Sequence, residues 1–438
     1  TLFFHILRYI SYLLIAINSY LNLYAMNTFK PKDNREFDII IYGASSFTGK
    51  IILDYFLEQY PPHDTFRWAI AGRDLVKLEK LTQNLDFDIP IFIADSHDRP
   101  ALDDLSKKTK VILTTVGPYA KYGDDLVFAC SNNGTDYCDL AGETQWIRKM
   151  IDDNHDLAKK TGARIINACG FDSVPFDLGV YSMQNHALNK INKPIEKIIT
   201  LVRAMRGGAS GGTIASMINI IIEGKRNREI ARIVSNPYAL NPVGMREGAD
   251  KRDPSTFVFN KKLKTWTSPF IMAPINTRIV RRTNALLDYR YGKDFSYTEY
   301  ADCGNGLSGA LKSFLITSFL GLFIMLTTFK FSRKYIIRKL LPKPGEGPNK
   351  TQQKNGFFKL FMYGLSSSGE ILKMKITGNQ DPGYGSTSRM ISEIAICLAL
   401  DEVKTEGGIW TPASALGEKL LNRLKKNAGM TFEVMETK

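Results

Sequence analysis

Along the chain, runs of apolar residues alternate with stretches in which apolar positions recur every three or four residues. Phe37-Asp38-Ile39-Ile40-Ile41-Tyr42 is a nearly continuous apolar run, suited to a strand buried on both faces of a parallel sheet. Ile51, Ile52, Tyr55 and Phe56 then share one helical face. The alternation repeats. Strands are predicted over residues 66–71, 89–93, 111–116, 137–139 and 163–168, with helices between them marked by Leu75, Leu78 and Leu81, by residues 124–133 and by residues 145–160. This order predicts an α/β fold on a doubly wound parallel sheet. The middle of the chain is less regular. Residues 198–205, 257–259 and 275–280 look like strands, and residues 213–224 carry Ile and Met at helical spacing. Residues 342–354 read as a polar linker punctuated by Pro and Gly. Residues 415–426 predict an amphipathic helix with Leu416, Leu420, Leu421 and Leu424 on one face.

Two apolar stretches bear on membranes. Residues 1–25 hold one charge, Arg8. They read as a signal anchor or short transmembrane helix, or as an extension ahead of a start at Met26. Residues 313–329 are seventeen uncharged residues, flanked by Lys312 and by Lys330, Arg333, Lys334, Arg338 and Lys339. Seventeen is the lower limit for a span. Apolar residues surround this helix on all sides, and its basic flanks suit a helix or hairpin lying at an anionic interface. A helix buried at a domain or dimer interface is the alternative.

Candidate chemistry begins where the first strand ends. Gly43-Ala44-Ser45-Ser46-Phe47-Thr48-Gly49 joins it to the helix that follows. A strand, a glycine turn and a helix in that order make a phosphate cradle, with backbone N–H groups facing a pyrophosphate. The second strand ends in Gly72-Arg73 where an NAD site would carry an acid. Arg73 can pair bidentately with a 2′-phosphate, which favours NADP(H), or it is a solvated arginine. Asp95 closes the third strand near an adenine edge, and Gly117-Pro118 stops the fourth on the nicotinamide side. Tyr119 there either reaches the ring or packs. Tyr119, Asp139, Glu143 and Asp172 stand at strand ends or in loops where a proton donor is useful. Asp172, ahead of Val174-Pro175, can instead cap a helix.

Composition narrows the alternatives. The 438 residues carry a formal charge of +14, which fits phosphates or an anionic surface. The basic residues are scattered without interleaved aromatics, so nucleic acid is not the expected partner. Five cysteines lie far apart, and no HExxH is present. A disulfide framework and structural zinc are therefore not expected, and a reducing compartment is.

Taken together, the motifs resemble the saccharopine dehydrogenase-like oxidoreductases. The resemblance rests on residues 43–49, Ala71-Gly72-Arg73, Val116-Gly117-Pro118-Tyr119, residues 137–143 and residues 170–179. It continues through Gly211-Gly212-Thr213 with Ser216, residues 273–278 and 284–286, residues 344–348 and residues 408–412. It implies a Rossmann domain over residues 37–178 that binds NADP(H) through Gly43, Ser45, Ser46, Phe47, Thr48, Gly49, Arg73, Asp95, Gly117 and Pro118. It also implies an inserted α+β substrate domain over residues 179–400, and a C-terminal segment, 401–438, packing back on the first domain. One position departs from the family turn: Ser46 replaces a glycine, and its side chain either crowds the pyrophosphate or donates to it.

Three functions from different classes remain open. The first is an NADP(H)-dependent reductase of a lipid-type substrate, as in glycolipid synthesis, at the cytosolic face of a membrane or on a lipid droplet. Tyr119 and Asp172 are its candidate catalytic residues. The second is a soluble saccharopine-type amino-acid dehydrogenase. The third is a non-catalytic, membrane-associated cofactor binder. Arg278, Arg281, Arg282 and Asn284 are expected to hold an acidic substrate or to form a solvated strand face.

Overall fold

The computed structural model describes residues 32–63, 65–208, 211–333, 335, 347–365 and 371–435. The apolar stretch 1–25, the flanking Lys334, Arg338 and Lys339, and the motif residues Pro344, Gly345 and Glu346 lie outside them.

The first sheet is built from seven parallel strands: β1 Phe37–Tyr42, β2 Trp68–Gly72, β3 Ile91–Ile93, β4 Thr109–Thr114, β5 Asp136–Cys138, β6 Arg164–Ile166 and, from the far end of the chain, β13 Gly408–Trp410. Their order is β13-β6-β5-β4-β1-β2-β3. The helices in this half are α1 Phe47–Gln59, α2 Leu75–Thr82, α3 Arg99–Lys108, α4 Asp124–Asn133, α5 Thr144–Thr161 and α6 Val174–Ile191. Because side chains alternate along a strand, β1 feeds two cores. Ile39 and Ile41 pack with Ile52 and Phe56 of α1, while Ile40 and Tyr42 pack with Leu102 and Leu105 of α3. That is why the run is apolar at nearly every position. The expected Rossmann-type α/β fold is present.

The second sheet is mixed. Its strands are β7 Lys197–Arg206, β8 Val258–Asn260, β9 Thr265–Pro269, β10 Ser296–Gly304, β11 Phe357–Leu365, β12 Ile371–Gly378 and β14 Met430–Met435. They run in the order β14-β12-β11-β7-β10-β9-β8, with β7 and β10 parallel and the other neighbours antiparallel. The accompanying helices are α7 Gly211–Arg226, α8 Arg228–Ser235, α9 Ala273–Leu286, α10 Gly306–Thr328, α11 Thr387–Leu400 and α12 Pro412–Asn427.

Three features differ from the sequence reading. Residues 275–280 belong to α9, not to a strand. Arg278, Arg281 and Arg282 are neither solvated nor free for a substrate: all three are buried. Arg281 pairs with Asp250 at 2.8 Å and donates to the carbonyls of Pro237 and Tyr297, and Arg278 pairs with Asp253 at 2.6 Å. Arg282 donates to the carbonyls of Leu240 and Ile409. Second, the far end of the chain divides differently. Thr387–Leu400 packs on α1, β1, β4 and β5 of the first sheet, and in the C-terminal segment β13 joins the first sheet while β14 joins the second. Third, the amphipathic helix α12 buries Leu416, Leu420, Leu421 and Leu424 as expected, but is kinked at Gly417, whose φ is +44°.

Residues 313–329 fall almost wholly within α10. It rests on β9, β10 and α7 along a narrow stripe that includes Gly309, Ser313 and Thr327. A Cβ at Gly309 would meet the Gly304 carbonyl oxygen at 2.4 Å, so glycine permits the close approach. Much of the rest is exposed, with Leu307 90 % and Phe319 71 % exposed. It is long and apolar enough to cross a membrane by length and composition.

Candidate functional site

The C-terminal ends of β1 and β4 open onto a cavity of about 320 Å³ between the two sheets. One wall is the glycine turn, through Ser46, Phe47 and Thr48; others are Thr115 and Gly117 after β4, and Gly170, Phe171 and Asp172 before α6. The opposite wall comes from the second half of the chain: Ser216, Met217 and Ile220 of α7, Val234 of α8, and Ile271, Met272, Pro274 and Ile275. Gly383, Tyr384 and Thr387 close it.

The turn has the geometry a dinucleotide needs. Gly43 sits at φ +89°, and a Cβ there would lie 2.7 Å from Val116 Cγ2. At Gly49 a Cβ would meet the Gly43 carbonyl oxygen at 2.2 Å, so only glycine allows this helix–strand approach. Ser46 neither crowds the turn nor reaches outward. Its φ of −68° is ordinary, and its oxygen accepts from the Gly49 N–H at 2.9 Å as the N-cap of α1. A second bond joins it to Thr115 Oγ1, also at 2.9 Å. Capping consumes one orphan helix donor; the Phe47 and Thr48 residues that line the cavity begin the helix, where backbone N–H groups have no intrahelical acceptor and suit a phosphate. Phe47 is held edge-on to Tyr384 at 5.0 Å. The residues present fit a dinucleotide.

The remaining cofactor candidates lie along the strand ends. Ser45 is half-buried in the turn, and Arg73 is exposed directly after Gly72. Its neighbour Asp74 is taken by Lys77 at 3.0 Å and caps α2, leaving the guanidinium outward at the end of β2. Asp95 accepts from the His97 N–H at 3.0 Å. Gly117 borders the cavity, and Pro118 begins a one-turn helix at Tyr119.

The acid candidates separate sharply. The Tyr119 hydroxyl donates to the Thr114 carbonyl at 3.2 Å and accepts from the Leu140 N–H at 3.0 Å. Burial raises its pKa well above the usual value. Tyr119 lines the cavity, but both hydrogen bonds of its hydroxyl go to the backbone. Asp139 is buried and satisfied: it accepts from the Ala141 and Ala168 N–H groups, the Tyr137 hydroxyl and the Asn167 amide. Glu143 fixes the wall, accepting from the Tyr119 N–H and the Ser216 hydroxyl, both at 3.0 Å. Asp172 differs from all three. Ser173, not Asp172, holds the N-cap position of α6, without a side-chain capping bond, and among the described residues nothing donates to the Asp172 carboxyl. It lines the cavity, and burial alone pushes its pKa up to about 7. A carboxyl in that state is about half protonated at neutrality and can both give and take a proton.

Sequence reading missed the apolar wall and the Gly383–Thr387 closure. The helical spacing of Met217 and Ile220 was a usable signal, but which face it marked depended on the second sheet. The Asp381-Pro382-Gly383 turn, where Asp381 accepts from the N–H groups of Gly383, Tyr384 and Gly385, was legible as punctuation only.

Comparison with known proteins adds four findings. Residues 39–166 match the family described as saccharopine dehydrogenase NADP binding domain. A Mycobacterium tuberculosis protein provisionally named a trans-acting enoyl reductase is 36% identical over 419 residues, covering 91% of this chain and 97% of its own. The trans-acting enoyl reductase of Mycobacterium leprae is 34% identical over 412 residues, covering 90% and 96%. Among solved structures, the apo saccharopine dehydrogenase (L-Glu forming) of Saccharomyces cerevisiae has a TM-score of 0.51 at 10% identity, covering 91% of this chain and all of that one. This last likeness concerns the fold alone.

Proposed function

The chain belongs to the saccharopine dehydrogenase-like oxidoreductases, alongside the trans-acting enoyl reductases, and from that premise we propose that it is an NADPH-dependent reductase of the carbon–carbon double bond in a lipid-type enoyl compound. That it is an NADP-dependent oxidoreductase follows from the family itself. The observation carrying the finer reading is Asp172: a carboxyl with no donor among the described residues, facing into a cavity whose far wall is apolar, with burial raising its pKa to about 7.

Bound NADPH supplies the hydride equivalent. The chain's own residues do the rest. The turn from Gly43 to Gly49 and the start of α1 hold the diphosphate, and Arg73 meets the 2′-phosphate. Asp172 delivers a proton to the carbon that gains negative charge, and recovers it from solvent after product leaves. The apolar wall excludes water from the reacting carbons. Trans-2-enoyl thioesters should therefore yield the saturated thioester with one NADPH consumed per product. A cofactor that binds but is never consumed would favour the non-catalytic reading.

Arg73 carries the cofactor preference. Charge-assisted hydrogen bonds to a 2′-phosphate contribute roughly 1.5–3 kcal/mol, so NADPH should bind tenfold or more tighter than NADH. Titrating both into wild type and Arg73→Ala decides it; equal wild-type affinities would sink the assignment.

The protein also works at a lipid surface, attached through α10 without crossing. The support is topological and electrostatic. After α10 the chain re-enters both sheets, β11 beside β7 and β13 beside β6, so the two sides of the helix belong to one folded body. The exposed Lys312 and Lys330 flank the apolar surface, placed for anionic headgroups. Vesicles containing phosphatidylserine should float the protein, and replacing Phe314, Phe319 and Leu322 with Ser should release it. Wild type that stays at the bottom of the gradient would refute the attachment, which applies equally to a membrane and a lipid droplet.

A further inference from the structure

We infer that the substrate enters this site as the head of a flexible apolar chain, and that the chain lies between α7 and α8 against Ile220 and Val234. The inference rests on the reductase reading, because it assigns the part of the cavity that reading leaves unexplained. The cavity has two unlike halves. Around the glycine turn and Asp172 it offers hydroxyls, backbone donors and a carboxyl; the opposite half offers Met217, Ile220, Val234, Ile271 and Met272, with no charged side chain among the described residues. A phosphate-bearing cofactor has nothing to pair with there. Nor has an amino-acid-like substrate, whose charges would be desolvated without partners.

The apolar half also has the form of a cleft rather than of core packing. Met217 and Ile220 stand three apart on one face of α7, and both are half-buried. Val234 is half-buried likewise, and Ile271 is 44% exposed. Core residues at such positions would be covered. Moreover α7 is shared: one face lines the cavity, and it also packs on α10, where Lys225 Nζ reaches the Thr328 carbonyl at 3.5 Å and lies over the Phe329 ring. The helix that walls the chain cleft is therefore seated on the helix with the exposed apolar surface. A substrate with its tail in lipid and its head at Asp172 matches that arrangement.

The test uses binding, so that it does not depend on turnover. Saturated acyl thioesters of 4, 6, 8, 10 and 12 carbons are titrated calorimetrically into the full chain loaded with NADP⁺. A fully buried methylene gives about 0.8 kcal/mol, or about fourfold, so incomplete burial should still tighten binding about threefold or more per two-carbon step. Val234→Trp, and independently Ile220→Trp from the facing helix, should compress the ratio of 12-carbon to 4-carbon affinity at least tenfold, with NADPH titration confirming that each variant is folded. Affinity flat with length would overturn the inference, as would a loss equal at every length in both variants. Length-dependent binding without NADPH consumption from the matching enoyl thioesters would refute the reaction while supporting the chain cleft.

Discussion

Asp172→Asn should lower kcat by a factor of about 10²–10⁴, the usual contribution of a positioned proton donor, and at the same time make the protein more stable above neutral pH. The two effects have one cause. Burial holds the Asp172 carboxyl near 7, and no described group pulls it down. A carboxyl whose folded pKa is raised binds its proton more tightly in the folded chain. Its contribution to stability is therefore full below the unfolded value near 3.9 and is lost as pH rises through about 7. At pH 8 the folded chain bears a desolvated charge that the asparagine variant lacks. Linkage sets a ceiling of about 4 kcal/mol on that relief, from three pKa units at 1.36 kcal/mol each, and contact with the open cavity reduces it. Thermal unfolding at pH 5 and pH 8 checks the sign: the variant should gain at both, but about three times more at pH 8, because the loss in wild type builds from about pH 4 to about pH 7. In wild type, kcat should fall as pH rises through about 7. A variant with unchanged kcat would remove Asp172 from the chemistry.

The second large effect concerns stability alone. Arg281→Met should cost about 3–5 kcal/mol, the penalty for stranding one partner of a buried ion pair. Asp250, buried on the other side of the pair, would keep its bonds from the Ser296 hydroxyl and the Tyr297 N–H but lose the guanidinium. The Pro237 and Tyr297 carbonyls would lose a donor. Adding Asp250→Asn, which removes the stranded charge but keeps an acceptor oxygen, should recover part of the loss. Urea unfolding of the three proteins measures both steps. NADPH affinity of the folded variant should barely move, because α9 turns these arginines away from substrate. A raised KM with unchanged stability would restore the substrate-holding role.

What could be read from the sequence depended on whether a pattern was local. Six of the first sheet's seven strands were legible because most are buried on both faces and their helices on one; β13, three residues that join the sheet from the far end of the chain, was not. The glycine turn was legible because Gly43 and Gly49 answer to backbone geometry within seven residues. Residues 275–280 were misread for the opposite reason. α9 is buried on all sides, Arg278, Arg281 and Arg282 included, so no polar face marks its helical period. Its arginines are satisfied by Asp250, Asp253 and carbonyls from distant segments, which no spacing announces. The function of Ser46 was similarly out of reach. Whether its hydroxyl turned outward to a phosphate or inward to Gly49 and Thr115 depended on where the end of β4 lies. At Tyr119 and Asp172 the sequence placed two candidates at the site, and the hydrogen bonds of one and their absence at the other separated them.

The chemistry assigned to the cavity is tested most directly by the product itself. Wild-type protein, NADPH and a trans-2-enoyl thioester of about twelve carbons are combined in D₂O and the product is analysed by mass spectrometry. Reduction with the proton supplied by solvent-exchanged Asp172 predicts the saturated thioester carrying one deuterium, at the carbon next to the carbonyl, with one NADPH oxidised per molecule formed. Recovery of the enoyl thioester unchanged from protein that binds NADPH would contradict the account.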